Sequence, residues 1–313
     1  MKSLIFTQQS LLEILNELKV QLTTHDTISF QVLNPDIHIG AYSGEKIIIE
    51  DVAYLYRGYK VWVNLAELLF CRMLTPKMIN ELIVEITFQK INIHHSFHSY
   101  QTIQKNEKYG ADSIFFHLNK NEEPTFLNAY HKALQSVKIQ NRNNILNLGI
   151  NKGDEFELIV SMLDNAKDIN MIGVDFSASA IEVARKRFEK YENIKFFTHD
   201  INALDELQLE KSDLIISIGT FQSPNIDYHT LLINLVRNYL CENGAMILGF
   251  PNSRWIDGEL IYGAVAPNYN YSEMSLIYKD VIFAKKYLQK KNFRITITGR
   301  EYIFLTATKI GSL

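Results

Sequence analysis

The chain has 313 residues, of which 47% are hydrophobic and 21% charged, with a formal net charge of −3 and a sequence pI near 6.3. This composition is that of a globular protein long enough for two domains, and it gives no overall positive field that would attract nucleic acid. No apolar run of about 18 residues and no signal-peptide pattern is present, so we expect a cytoplasmic protein without a membrane span.

The first hundred residues predict a small module of mixed helices and strands. Leucines recur at helical spacing from Leu11 to Leu22 and predict an amphipathic helix. Strands are predicted over residues 27–33, 46–50 and 82–91, and an apolar helix over residues 60–74. We therefore predict an N-terminal α+β accessory domain, with a lid segment at its end, over residues 1–125. Cys71 and Cys241 both fall in apolar stretches that read as helical, and we expect free, buried thiols.

From about residue 140 the pattern changes to a regular alternation of strands and helices. Apolar strands are predicted over residues 145–148, 171–174, 194–197, 214–218 and 245–250. Helices are predicted over residues 178–190 and 228–240, and Gly244 is the stop signal that follows the second helix. Two further strands, over residues 293–298 and 302–309, are joined by a tight connection and should pair antiparallel. The prediction for residues 126–313 is an α/β domain with a doubly wound, mostly parallel seven-stranded sheet and a C-terminal antiparallel hairpin.

The turn after the first of these strands contains small and turn-forming residues at regular intervals, namely Asn147, Gly149, Asn151 and Gly153. A ligand at the carboxyl edge of a parallel sheet needs close approach of the backbone, which glycine permits. Asn tolerates the left-handed conformation better than most residues, so Asn151 can replace a glycine. An ordinary strand-to-helix turn is the alternative.

Two acids follow the next two strands. Asp175 comes 22 residues after Gly153, a spacing that suits a carboxylate bonded to both ribose hydroxyls; a helix N-cap is its alternative role. Asp200 can accept a hydrogen bond from an exocyclic amine while Ile201 covers a purine ring; the alternative is a solvated loop aspartate. A fourth element, residues 212–219, is a strand whose end should reach a reaction centre.

In this order and spacing, the four elements resemble the motifs of class I S-adenosylmethionine-dependent methyltransferases, and the resemblance covers about residues 126–313. It implies S-adenosylmethionine as cofactor. The methionine end would be lined by Asn147, Gly149, Asn151 and Gly153, the ribose held by Asp175, the adenine contacted by Phe176, Asp200 and Ile201, and the sulfonium placed above Gly219. The chain departs from the family pattern at two positions: Asn147 replaces an acid, and Asn151 replaces the middle glycine.

An unusually long segment, residues 251–275, follows the fifth strand, where the methyl acceptor should bind. Long loops within compact domains are often functional. Its aromatic and charged residues suit a polar or cationic acceptor, and the candidates are Arg254, Trp255, Glu259, Tyr269 and Tyr271. Packing of these rings on the N-terminal module is the alternative. Upstream, residues 109–116 are a candidate aromatic lid, with interdomain packing as the alternative.

Two other clusters in the sequence, one of histidines and one of basic residues, do not predict a binding site. The histidines at 94, 95 and 98 lack a specified third ligand, so no metal is predicted. The basic cluster between residues 285 and 294 is typical of a solvated helix face, so there is no strong nucleic-acid signal. Two functions remain: an active methyltransferase with an unidentified acceptor (small molecule, peptide or RNA), and an inactive cofactor-binding or regulatory protein of the same fold. A nicotinamide oxidoreductase is disfavoured by the glycine spacing.

Overall fold

The computed structural model describes residues 4–95, 110–111, 113–263 and 274–311. Contacts between residues divide the chain into two compact units. The N-terminal unit comprises residues 1–96 together with residues 255–261, and the C-terminal unit comprises residues 97–254 and 262–313. The predicted boundary between an accessory domain (residues 1–125) and a cofactor-binding domain (residues 126–313) stays a prediction.

Within residues 4–95, the described part of its first segment, the N-terminal unit has two helices and seven strands. They are β1 (Leu4–Ile5), α1 (Leu11–Thr24), β2 (Thr27–Leu33), β3 (Lys46–Ile49), β4 (Val52–Leu55), α2 (Tyr59–Leu68), β5 (Cys71–Met73), β6 (Lys77–Met78) and β7 (Ile83–Lys90). One sheet has the order β1-β2-β7-β5, with β6 also paired to β7, and β3 pairs with β4 separately. The predicted amphipathic helix α1 begins with a capping box between Ser10 and Glu13.

Aromatic packing fills the core of this unit. The alternation predicted along β7 is observed, since Val84, Ile86 and Phe88 are all buried. The Phe30 ring lies 5.1 Å from that of Phe88 and 5.6 Å from that of Trp62 of α2. Edge-to-face and tilted ring pairs of this kind add to the free energy gained by burying apolar area.

The rest of the described chain contains the alternating elements that the sequence predicts, together with one hairpin that it does not predict. They are α3 (Pro124–Ser136), β8 (Asn144–Leu148), α4 (Asp154–Met162), β9 (Asn170–Asp175), α5 (Ala178–Arg187), β10 (Ile194–Thr198), β11 (Ser212–Ile218), α6 (Tyr228–Asn234), β12 (Leu240–Pro251), β13 (Ser253–Ile256), β14 (Glu259–Tyr262), α7 (Met274–Lys290), β15 (Phe293–Gly299) and β16 (Tyr302–Lys309). Residues 255–261 of the β13–β14 hairpin belong to the N-terminal unit by their contacts.

A seven-stranded sheet organises this unit, in the order β10-β9-β8-β11-β12-β16-β15. The strands from β10 to β12 pair parallel, and β16 pairs antiparallel with both β12 and β15. The sheet is buried on both faces, each covered by its own hydrophobic cluster. The predicted fold class is therefore confirmed: a mostly parallel doubly wound sheet with a C-terminal antiparallel hairpin.

Three predicted elements differ from the structure. Helix α2 ends at Leu68, because Phe70 adopts a positive φ of 52° and the following residues pair with β7, so Cys71 lies in a strand. Helix α6 gives way to a π-helical turn over Leu235–Tyr239, and β12 already begins at Leu240, which pairs with Ser212. Cys241, predicted in a helical stretch, and Gly244, predicted to stop the helix, therefore both lie in strand β12. The predicted long loop after β12 contains a hairpin, β13–β14.

Among the described residues, no helix is long and apolar enough to cross a membrane.

Candidate active site

The turn between β8 and α4 adopts the conformation that its residues suggest. Gly149 (φ 79°), Asn151 (φ 48°) and Gly153 (φ 90°) all have left-handed backbones, so Asn151 takes a conformation more typical of glycine. A Cβ atom on Gly149 would overlap the Thr220 hydroxyl and lie 2.6 Å from Thr220 Cγ2. The turn is therefore packed directly against the segment that follows β11, which leaves no room for a side chain at residue 149.

Asn147 lies at the centre of the sheet, in β8 opposite Gly173 of β9 and Ile216 of β11. Its side chain is completely buried, and neither its amide nitrogen nor its oxygen has a hydrogen-bond partner among the described residues. A buried amide normally finds partners, because leaving one unpaired costs free energy. An unpaired amide beside the glycine turn suits a ligand that brings its own polar groups.

Asp175 ends β9 and ties the glycine turn to its neighbours. Its Oδ2 accepts a hydrogen bond from the Asn151 backbone N–H at 2.8 Å, and Oδ1 accepts one from the Ser177 N–H at 2.9 Å. The N-cap of α5 is Ser177, whose hydroxyl accepts from the Ala180 N–H, so Asp175 does not fill that alternative role. Each carboxylate oxygen can accept more than one bond, which leaves capacity for two further donors. Burial raises the pKa of Asp175, although the N–H groups of Ser177 and Asn151 oppose that shift.

The remaining predicted cofactor residues lie at the same edge of the sheet. Phe176, beside Asp175, has 51% of its surface exposed. Asp200 is exposed and caps a short helical turn by accepting the Asn202 N–H at 2.9 Å, whereas Ile201 is buried in the core. Gly219 has a φ of 75°, and a Cβ there would lie 3.4 Å from the Pro251 ring.

A segment preceding α3 is fastened to the glycine turn by residues that the sequence did not single out. The Lys152 ammonium donates to the carbonyl oxygens of Phe116 and Leu118, both at 2.6 Å, and lies 5.2 Å from the centre of the Phe116 ring. Burial lowers the pKa of Lys152. These contacts attach part of the predicted lid segment, residues 109–116, to the glycine turn. Tyr109 and Asp112 of that segment lie outside the described residues.

Lys120 and Glu155 form a second, buried link between the same two segments. Their Nζ–Oε1 distance is 2.9 Å, and their side chains are only 12% and 4% exposed. Burial lowers the pKa of Lys120, but the charge and hydrogen bond of Glu155 together with the charges of Tyr302 and Asp154 outweigh it, so the pKa of Lys120 is raised overall. The pKa of Glu155 is also raised by burial, against the opposing charge of Lys120. No local motif marks this pair, because its members are far apart in the sequence.

The predicted acceptor residues are divided between the two units. Trp255 and Glu259 belong to the N-terminal unit, where Arg72 Nε lies 3.1 Å from Glu259 Oε1 and Arg72 Nη2 lies 3.1 Å from Asp257 Oδ2. His95 Nδ1 is 2.8 Å from Asp257 Oδ1, so this histidine pairs with a carboxylate. These contacts favour packing on the N-terminal module for residues 255–261.

Arg254 lies in the C-terminal unit, and burial lowers the pKa of its guanidinium. Tyr269 and Tyr271 lie outside the described residues. Within the part of the chain that the structure describes, no group of three or more His, Cys, Asp or Glu side chains could hold a metal ion.

Beyond Gly219, two polar side chains that the sequence did not predict lie at the ends of β12 and β16. Asn252 and Glu301 are 4% and 7% exposed. The Asn252 N–H donates to the Glu301 carbonyl oxygen at 2.8 Å, which extends the β12–β16 ladder by one residue. Among the described residues, Asn252 Oδ1 and Glu301 Oε2 have no hydrogen-bond partner. Two neighbouring residues at the edge where the methyl acceptor is expected therefore each carry a buried oxygen that could accept a hydrogen bond.

Comparison with known proteins gives a family for the C-terminal half of the chain. Residues 139–293 match the model of a methyltransferase domain. A search of the curated proteins finds no match. Residues 139–293 belong to the methyltransferase domain family, and the sheet has the class I arrangement that the sequence resemblance implies.

Several solved structures are similar to this chain at low identity. The CurJ carbon methyltransferase is 15% identical, with a TM-score of 0.45 over 80% of this chain and 79% of that one. The N-methyltransferase NodS from Bradyrhizobium japonicum WM9, in complex with S-adenosyl-l-homocysteine, is 15% identical, with a TM-score of 0.43 over 64% and 93%. Coclaurine N-methyltransferase, bound to N-methylheliamine and SAH, is 20% identical, with a TM-score of 0.32; the match covers 38% of this chain and 34% of that one.

Proposed function

We propose that the C-terminal unit binds S-adenosylmethionine at the carboxyl edge of its sheet and transfers the methyl group to an acceptor. The observation that carries this proposal is the Asp175 carboxylate. The backbone N–H groups of Asn151 and Ser177 hold it at the end of β9, with acceptor capacity to spare. A ribose with two neighbouring hydroxyls is the ligand group that matches this arrangement.

The other residues at this edge suit the remaining parts of the cofactor. The positive φ angles and tight packing of the glycine turn allow close backbone approach, and the unpaired Asn147 amide can bond to polar groups at the methionine end. Exposed Phe176 can lie against the adenine, with Asp200 near its amine and Ile201 beside the ring. Gly219, which has no side chain, leaves space for the sulfonium. Asn147 contributes no negative charge toward a cationic ligand, so we expect moderate rather than tight affinity.

When bound, S-adenosylmethionine supplies a methyl group on a positively charged sulfur that is a good leaving group. Transfer would form a bond from the methyl carbon to a nucleophilic atom of the acceptor, and the electron pair of the broken C–S bond would stay on sulfur. Such a displacement needs alignment above all, which rigid strand ends provide. The bonds from Lys152 of the glycine turn to the Phe116 and Leu118 carbonyls, and the pair of Lys120 with Glu155 of α4, support that alignment by holding residues 116–120 in place. The cytoplasmic location predicted from the sequence stays a prediction.

A thermal-shift experiment on the whole chain tests this proposal. S-adenosylmethionine and S-adenosylhomocysteine should each raise the melting temperature, because a ligand that binds only the native state stabilises it by mass action. NAD at the same concentration should have no effect. Stabilisation by NAD alone would mean that the crevice takes a different nucleotide. Stabilisation by S-adenosylmethionine without turnover on any acceptor would favour the inactive, regulatory alternative.

A further inference from the structure

The buried oxygens of Asn252 and Glu301 point to the chemical class of the acceptor. This inference rests on the proposed function. We propose that the two side chains bind a primary amine, with one N–H donated to Asn252 Oδ1 and the other to Glu301 Oε2, so that the chain is an N-methyltransferase acting on an amine.

The hydrogen bonds around the pair identify which atoms need a ligand. Asn252 Nδ2 donates to the Arg300 carbonyl oxygen at 3.0 Å, which fixes the orientation of the amide and leaves Oδ1 as the atom without a partner. The Ser253 hydroxyl donates to the backbone oxygen of Glu301 at 2.9 Å, so it does not serve the carboxylate. Glu301 Oε1 lies 3.2 Å from Arg300 Nε, and Oε2 is left over. Among the described residues these two oxygens have no donor, so the site offers a ligand two hydrogen-bond acceptors.

The hydrogen-bonding needs of Asn252 Oδ1 and Glu301 Oε2 favour one chemical class of methyl acceptor over others. A primary amine that has lost its ammonium proton to water has two N–H donors and one lone pair, so two bonds to oxygen leave the lone pair free to bond to the methyl carbon. The electron pair of the broken C–S bond would stay on sulfur, and the product would leave as a methylammonium ion. A hydroxyl has a single donor and can satisfy only one of the oxygens, and a carboxylate has none. Because Arg300 already pairs with Glu301, the site favours N–H donors over a second full positive charge. Leaving either oxygen buried and unpaired costs free energy, which amine binding would recover.

The location agrees with this role. Asn252 directly follows Pro251, whose ring would lie 3.4 Å from a Cβ at Gly219, the residue proposed to lie under the sulfonium. Arg300 contacts Glu301 through Nε, and its guanidinium lies 4.9 Å from the centre of the Tyr262 ring. The Arg300 side chain is 47% exposed and Tyr262 41%. Contacts between exposed side chains of this kind are weak, so these two side chains can move to admit a ligand.

The test uses the full chain saturated with S-adenosylhomocysteine, whose own thermal shift reports on the proposed function separately. Primary amines from ethylamine to phenethylamine are then added, each paired with the alcohol of the same carbon skeleton, and the further shift in melting temperature is measured. We expect shifts from amines, and little or none from the matched alcohols. If S-adenosylhomocysteine stabilises the protein but no amine exceeds its alcohol, the amine proposal is overturned and the proposed function stands. If S-adenosylhomocysteine itself gives no shift, the proposed function fails first.

Two variants separate a binding role from a structural one. Glu301→Gln retains the size of the side chain but replaces Oε2 or Oε1 with a donor, so it should abolish the amine-dependent shift while leaving the ligand-free melting temperature equal or higher. Residues that bind ligands are commonly suboptimal for stability, which is why no loss is expected. Glu242→Gln, at the exposed amino end of β12, is the matched control and should retain the full amine response. A large drop in ligand-free stability of Glu301→Gln, or an undiminished amine response, would overturn the assignment.

Discussion

Replacement of Gly149 by alanine tests the packing of the glycine turn, because the structure gives two separate reasons for a loss in the free energy of unfolding. The φ of 79° disfavours any residue with a Cβ by about 1–2 kcal/mol. The added Cβ would also overlap the Thr220 hydroxyl, and overpacking of this kind costs about 1–3 kcal/mol. The two effects together predict a loss of about 2–5 kcal/mol in the free energy of unfolding.

Gly258→Ala is the matched control for the first cost. Gly258 has nearly the same φ, 83°, but nothing lies within 4 Å of a Cβ built there, so only the conformational cost should appear. The difference between the two variants, measured by urea denaturation, isolates the clash. Adding Thr220→Gly to Gly149→Ala should recover most of that difference in a double-mutant cycle. Equal losses for Gly149→Ala and Gly258→Ala would refute the packing described for the turn.

Three further predictions concern two ion pairs and one buried thiol. Lys120→Met should lower the free energy of unfolding by about 3–5 kcal/mol, since it leaves Glu155 buried without its partner, whereas adding Glu155→Met should restore most of the loss in denaturant melts. Arg72→Met should cost about 1 kcal/mol or less by the same measurement, because its pair with Asp257 is partly exposed; a much larger loss would contradict that weighting. Burial raises the pKa of Cys71 to about 11 from an ordinary value of 9.0, so a thiol reagent at pH 8 should label it only after unfolding, and rapid labelling of the native protein would contradict its burial.

Elements defined by neighbours in the sequence could be predicted, and those defined by distant partners could not. The apolar strands of the C-terminal sheet and the glycine turn are local patterns, which is why β8 to β11 and the position of Asp175 emerged from the sequence. Helix α2 was predicted too long because pairing of Cys71–Met73 with β7 overrides the helical spacing. The hairpin after β12 was missed because its residues carry no regular alternation.

The site shows the same division. The residues assigned to the cofactor lie in short loops directly after strands, where the topology alone brings them to one edge. The pair of Lys120 with Glu155 and the pair of Asn252 with Glu301 join residues 35 and 49 positions apart, and no local signal marks either. The two departures from the family pattern also have different weights: Asn151 supplies the left-handed conformation of a glycine, whereas Asn147 changes the charge at the centre of the site.

The most direct test of the central claim is calorimetric titration of S-adenosylhomocysteine into the wild-type chain and into Asp175→Ala. Hydrogen bonds to charged groups are worth about 1.5–3 kcal/mol each, so loss of the carboxylate, partly replaced by water, should weaken binding by about 2–4 kcal/mol, or about 30- to 1,000-fold. Asp168→Ala, at the opposite end of β9, is the control and should bind like the wild type. Unchanged affinity in a folded Asp175→Ala variant would contradict the assignment of Asp175 to the cofactor ribose.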